Sequence, residues 1–329
     1  MVPFLFSQHT GWHDLVKEKD QHKEDRKNRG KIEIEIQYTC IHVLAQDTHE
    51  VNGTYFKATR GNRMILYQDA DTPQLPQVDR QFNLDYKYLF HNLNFQFNGL
   101  TDPDGTPYKV TTAWKDLFKT IQAAEKFIYI TGWSVFTGID LVRSEDGKYG
   151  HSSNVGELLK RKAEQGVKVI ILVWNEKLST DVTDGMMATY DNDTKQFFEG
   201  TKVQVLLVVR QKEGGLLEDQ FVSFCYTHHQ KTVICDAPLH DNGGARKRVV
   251  AFVGGLDITK GRYDDPTFPL WKTIPTVHSK DFYNNCVPGV TQETGPREPW
   301  HDCHAKVEGP IAVDLMCNFV DRVKKQVGN

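Results

Sequence analysis

The chain has 329 residues, enough for one large or two modest domains with a sizeable core. Its 40 Lys and Arg against 43 Asp and Glu leave a formal charge of −3, which gives no electrostatic reason to expect nucleic acid, a partner that wants a basic face. No apolar run approaches the roughly 20 residues of a membrane-spanning helix.

The opening Met1-Val2-Pro3-Phe4-Leu5-Phe6 is too short for a signal peptide and lacks a charged lead. Residues 13–31 are highly charged and read as a solvated linker or an exposed helix. Lys31–Tyr38 then alternates, with Ile32, Ile34, Ile36 and Tyr38 on one side, the pattern of a half-buried antiparallel strand. No neighbouring partner is evident, so it reads as an orphan with an unpaired edge. Residues 78–98, rich in aromatics and Asn, read as an insertion packing on the domain near 78–100. Helical spacing of Trp114, Leu117, Phe118 and Ile121 predicts a helix over 114–124. Buried strands are predicted at 127–130, 167–174 and 203–209. Between them lie helices at 155–165, with Gly166 as its cap, and at 194–200. Further strands are predicted at 221–226, 232–235 and 249–258. The alternation predicts an α/β fold, a mixed β-sheet sandwiched by helices. The six cysteines, at 40, 225, 235, 286, 303 and 317, form no C-x-x-C pair. Several lie in apolar runs, so buried free thiols in a reducing compartment are expected rather than disulfides.

One run carries chemistry: Thr227-His228-His229-Gln230-Lys231-Thr232-Val233-Ile234-Cys235-Asp236, an H-x-K-x-x-x-x-D pattern. His229 and Lys231 are two apart, so on an extended chain they face the same side. An imidazole can attack phosphorus, and a fixed ammonium beside it neutralises charge on the non-bridging oxygens. Asp236 is expected to support the histidine and lysine, and His228 to be structural. Such a triple also arises by chance, with Lys231 a solvated strand-end lysine and Asp236 a turn residue. Downstream, Gly254-Gly255-Leu256-Asp257 ends an apolar strand with paired glycines, which admit close approach of a phosphate or mark a plain turn.

Taken together, several blocks resemble the first catalytic half of eukaryotic phospholipase D, most nearly the plant type. They are Leu66-Tyr67-Gln68-Asp69-Ala70, Tyr129-Ile130-Thr131-Gly132-Trp133-Ser134-Val135, the run at 227–236, Gly254-Gly255-Leu256-Asp257, and Pro296-Arg297-Glu298-Pro299-Trp300-His301-Asp302-Cys303-His304. The resemblance covers roughly 60–329. It implies hydrolysis of a glycerophospholipid such as phosphatidylcholine to phosphatidic acid and a free head group. His229 would be the nucleophile, Lys231 the phosphate clamp and Asp236 their support. Gly254, Gly255, Asp257, Trp300, His301, Asp302 and His304 would line the substrate pocket. His301, Asp302 and His304 have a spacing that zinc accepts only if they converge in a loop. Asp69 would be a ligand for calcium, an ion that wants six or more oxygens. Residues 1–59 would hold the end of a C-two β-sandwich. The implied location is cytoplasmic and peripheral on a phospholipid membrane surface.

Family members carry two copies of the motif, because attacking phosphorus and protonating the leaving alcohol are separate tasks. Here His278-Ser279-Lys280 has Asn285 at the eighth position, and His304-Ala305-Lys306 has Ile311. Neither completes a second copy. Three expectations follow: an enzyme completed by a second lobe, through homodimerisation or from another chain; a catalytically incomplete binding protein; or a single-motif dimeric nuclease, disfavoured by the charge.

Overall fold

The computed structural model of the chain describes residues 7–14, 31–38, 54–71, 112–143, 153–176, 189–209, 227–238 and 247–328. Two units are present, residues 1–58 and 59–329. In the first, β1 (Ser7–Asp14) pairs antiparallel with β2 (Lys31–Tyr38), in register from Ser7 opposite Tyr38 to Asp14 opposite Lys31. The predicted orphan strand therefore has a partner. Ser-Gln-His-Thr-Gly-Trp-His-Asp escapes a hydrophobicity reading because it shows no apolar alternation, yet its backbone groups need partners all the same. The predicted insertion at 78–100 and the strand at 221–226 lie outside the described residues.

The second unit is built on one sheet of seven strands. In chain order these are β3 (Arg63–Gln68), β4 (Phe127–Gly132), β5 (Lys168–Trp174), β6 (Gln204–Val208), β7 (Thr232–Pro238), β8 (Lys247–Gly254) and β9 (Cys303–Glu308). Their spatial order is β3-β9-β8-β7-β4-β5-β6. β4, β5 and β6 run parallel, and the other pairings are antiparallel, so the sheet is mixed as expected. Helices α1 (Ala113–Ala123), α2 (Val155–Glu164) and α3 (Asp191–Phe197) precede β4, β5 and β6, and α4 (Pro310–Val327) follows β9.

Each face of the sheet has its own core. Val169, Ile171 and Val173 of β5 point to the face that holds Trp114, Leu117 and Ile121 of α1 and Leu158 and Leu159 of α2. Ile170 and Leu172 point to the other, with Ile234, Val307 and the α4 residues Ala312 and Phe319. Burial on both sides explains why β5 reads as an unbroken apolar run. The Phe319 ring stacks on Tyr129 at 4.7 Å and fixes α4 against the sheet.

Two sequence details behave as their chemistry requires. Asn154 caps α2 by accepting from the Glu157 N–H at 3.1 Å. Gly166 takes φ 91° just past its end, a conformation natural to glycine. The structure adds β3, β9 and α4, which the periodicity did not announce. β3 is an edge strand with Met64 and Leu66 exposed, and Cys303-His304-Ala305-Lys306-Val307-Glu308 lacks an apolar run. α4 does carry a start signal, Gly309 followed by Pro310 at its first position. Among the cysteines, Cys235 is buried, whereas Cys286, Cys303 and Cys317 are free and exposed. The expectation of buried thiols thus fails at three positions: Cys286 on a loop, Cys303 at the first residue of β9, and Cys317 on the outer side of α4.

Candidate active site

The topology gathers four chain segments at one end of the sheet. β4 ends where β7 begins, since Thr131 pairs with Thr232. Thr232 in turn faces Val253 near the end of β8, and Gly254 faces His304 at the start of β9. Residues 132–134, 229–231, 254–257 and 302–304 are therefore neighbours although far apart in sequence.

His229 and Lys231 precede the first residue of β7 and differ sharply in burial. The imidazole is exposed, with its ring 6.0 Å from that of Trp133. Lys231 is buried, and its Nζ lies 2.9 Å from Asp257 Oδ2. The ammonium also donates to the His229 carbonyl at 3.3 Å. Asp257 Oδ1 accepts the backbone N–H groups of Trp133 and Ser134 at 3.0 and 3.3 Å. Burial pushes the Asp257 carboxyl up, while Lys231 and these bonds pull it back. Partial burial and the nearby Lys231 hold the His229 imidazole below its ordinary value of 6.5, against opposing pulls from Asp257 and Asp302. At neutral pH it is therefore unprotonated, the state in which a ring nitrogen has a lone pair to attack with.

Asp236 is not part of this group. It lies at the other end of β7, roughly 16 Å from Lys231 at strand spacing. Its carboxylate accepts the backbone N–H groups of Glu125, Lys126 and Phe127 at 2.8–3.1 Å. The expected support for histidine and lysine is thus corrected: Asp236 closes the turn into β4, and the carboxylate on Lys231 is Asp257. The five-residue spacing misled because it measures distance along an extended strand.

The predicted pocket residues divide into two groups. Gly254, Gly255, Asp257, Asp302 and His304 meet at the site. A Cβ on Gly255 would sit 1.8 Å from Asp302 Oδ1, and one on Gly254 would sit 2.5 Å from the Cys303 carbonyl oxygen. These glycines serve close packing of β8 on β9. Trp300 donates its indole N–H to Asp302 Oδ2 at 2.8 Å. The buried His304 ring accepts the Leu256 N–H at 3.4 Å, and burial pushes it down to about 4, so it is neutral. Beneath the Lys231–Asp257 pair lies a cavity of about 20 Å³ bounded by Trp114, Thr131 and His304. That is room for a water molecule and not for a head group.

His301 and Asp69 form the second group. Asp69 is fully buried at φ 56°, and its Oδ1 accepts from His301 Nδ1 at 2.8 Å and from the Asp302 N–H at 3.0 Å. It fastens the loop that delivers Asp302. Its Oδ2 is buried without a hydrogen-bond partner. A single such oxygen falls short of the six to eight that calcium takes. Among the described residues, no three His, Cys, Asp or Glu side chains converge on a metal position.

Trp133 and Arg262 also belong to the site, although no role was read for them from sequence. Arg262 is buried between the rings of Trp300, Tyr283 and Trp133, its guanidinium carbon 3.7, 4.8 and 5.7 Å from their centroids. Both residues fall inside the matched blocks or directly after the Gly-Gly segment, and that proximity was the available signal. His228 lies beside the site with its ring turned away from solvent. Burial and Arg322 push it down to about 4, and its ring nitrogens are buried without partners. Gln230 ties the same loop to α4 through Asn318 and Arg322 at 3.0 and 2.5 Å.

Comparison with known proteins identifies the family of the chain. The family model described as phospholipase D matches residues 120–329. The chain is 38% identical to phospholipase D alpha 2 of Arabidopsis thaliana over 96% of its own length, covering 38% of that protein. It is 41% identical to phospholipase D alpha 1 of Brassica oleracea var. capitata over 91% of its length, covering 36% of that protein. Among solved structures, the phospholipase D family member Nuc from Salmonella typhimurium aligns with a TM-score of 0.37 at 9% identity, over 80% of this chain and 95% of that one. An exposed histidine beside a buried lysine–aspartate pair stands where four strands of the α/β lobe converge. The chain belongs to the phospholipase D family, and it spans less than two fifths of the two plant relatives just named.

Proposed function

We propose that this lobe supplies half the active site of a phospholipase D-type phosphodiesterase acting on glycerophospholipids such as phosphatidylcholine. The observation that carries the reading is Lys231: a buried ammonium, held by Asp257 at 2.9 Å, next to an exposed and unprotonated imidazole at His229. The lone pair of His229 attacks phosphorus, the bond to the head-group oxygen breaks, and the leaving alcohol takes a proton from a second imidazole. The phosphohistidine then accepts a water molecule deprotonated by that same imidazole, releasing phosphatidic acid and free His229. Lys231 gathers the charge on the non-bridging oxygens in both steps.

The second imidazole belongs to another H-x-K-x-x-x-x-D lobe, from a second copy of this chain or another chain. Among the described residues no helix is long and apolar enough to cross a membrane. The reading therefore has the site meet lipid at the membrane surface. Calcium at Asp69 is part of this reading: calorimetry should detect calcium uptake that Asp69→Asn loses, and no uptake by the chain would remove the ion from it.

The test is choline release from phosphatidylcholine vesicles, with mass spectrometry of acid-labile phosphohistidine. Release by the assembled protein and label at His229, both lost in His229→Asn, is the expected result. Full turnover in His229→Asn would sink the assignment. Cleavage of plasmid DNA in place of lipid would move the reading to the nuclease alternative.

A further inference from the structure

Charge at the site does not balance without a residue that stands outside the motif. Lys231 and Asp257 cancel each other at 2.9 Å. Asp302, whose carboxylate is near enough to act on His229, adds a negative charge. A phosphodiester is itself an anion, and it gains charge as the histidine attacks. With these groups alone it would enter a site of net negative charge. Arg262 is the cation that neutralises this. It acts on both His229 and Asp257, and Trp133 touches its guanidinium on one hand and the His229 ring on the other.

The mode of its confinement matters. Three aromatic rings cover the face of the guanidinium, with Trp300 nearest at 3.7 Å. Stacking uses the face of the planar fork and leaves its N–H edge free to donate. Nη1 donates to the Lys260 carbonyl at 3.0 Å. Among the described residues, Nε and Nη2 have no acceptor. Arg297 differs in its terminal nitrogens: both are closed onto Asp264, and Nη1 also donates to the Glu298 carbonyl.

We propose that Arg262 is a substrate-binding residue, a second cationic clamp that donates from Nε and Nη2 to a non-bridging oxygen of the phosphodiester opposite Lys231. The proposal rests on the reading of His229 and Lys231 as a phosphoryl site. The aromatic box makes the fork rigid, so it binds the oxygen without first being ordered. A lysine at this position brings charge without the fork and without the stack.

The test titrates inorganic phosphate into the 329-residue chain and follows the His229 ring resonances by NMR, with a thermal melt of each variant to confirm folding. Wild type is expected to show a saturable shift. Arg262→Gln should weaken phosphate roughly tenfold or more, the scale of a lost charge-assisted bond. Arg262→Lys should recover only part of that loss. Folded Arg262→Gln that binds phosphate as wild type does, while Lys231→Met loses it, overturns the role of Arg262 and leaves the His229–Lys231 reading standing. A wild-type chain whose His229 resonances ignore phosphate overturns both. If Arg262→Gln does not fold, Arg262→Lys decides: a clear loss of phosphate affinity supports the clamp, and unchanged affinity overturns it.

Discussion

Asp257 does more at this site than its place after a glycine pair suggests. It holds Lys231, and it receives two backbone N–H groups from the end of β4. Both members of the pair are buried, so removing one strands the other. Asp257→Asn should destabilise the fold by about 3–5 kcal/mol in urea unfolding, while Lys231→Met combined with Asp257→Leu recovers only part of that loss. The lone ammonium is gone from the double variant, but the Trp133 and Ser134 N–H groups still lose their acceptor. His304 makes a separate prediction. Folded, its pKa is about 4, against 6.5 for the free side chain. Between those values the unfolded chain binds the extra proton, so stability falls as pH drops from 6.5 toward 4 and is flat above. The loss from this residue is on the order of 3 kcal/mol, and His304→Asn should remove that portion of the pH dependence in denaturant melts at pH 4–7. His228 acts in the same direction and remains in the variant.

At the scale of elements, the two ends of β7 have different tasks. The leading end presents His229 and Lys231, and the trailing end anchors the turn between α1 and β4 through Asp236. Asp236→Ala leaves the N–H groups of Glu125, Lys126 and Phe127 without their acceptor. The expected cost is about 2–3 kcal/mol of stability in a chemical melt, with phosphate binding at His229 unchanged in the folded protein. A variant that folds as stably as wild type but cannot bind phosphate would return Asp236 to the site. The loop from Trp300 to His304 is equally an assembled element. Asp69, at the end of β3, holds His301 and the Asp302 amide, and Asp264 takes Arg297 and the Trp300 N–H. Both carboxylates come from distant parts of the chain, and together they set where Asp302 stands.

For the whole molecule, the decisive quantity is how many copies of the motif the assembled protein contains. One imidazole cannot both attack phosphorus and protonate the departing alcohol at the same instant. If two copies of this chain share a site, choline release per chain should rise with protein concentration and level off once dimers dominate. Release per chain that is constant across a hundredfold dilution, from a species of monomer mass by light scattering, would rule out sharing between copies.

Residue types alone determined a good part of this protein. Unbroken apolar runs at 167–174 and 232–235, and helical spacing at 114–124, were sufficient for the α/β lobe, because strands buried on both faces and amphipathic helices leave a local imprint. The H-x-K spacing likewise located His229 and Lys231 at one site, since two residues in near-extended backbone stay together wherever the chain goes. Only tertiary structure decided the rest. Asp257 as the partner of Lys231, Arg262 in its aromatic box, and Asp236 at the far end of β7 depend on antiparallel pairing of β7, β8 and β9. That pairing brings together residues dozens of positions apart, and local spacing holds no record of it. The same holds for β1 and β3, whose polar or edge-strand sequences acquire their structure from a partner rather than from their own pattern.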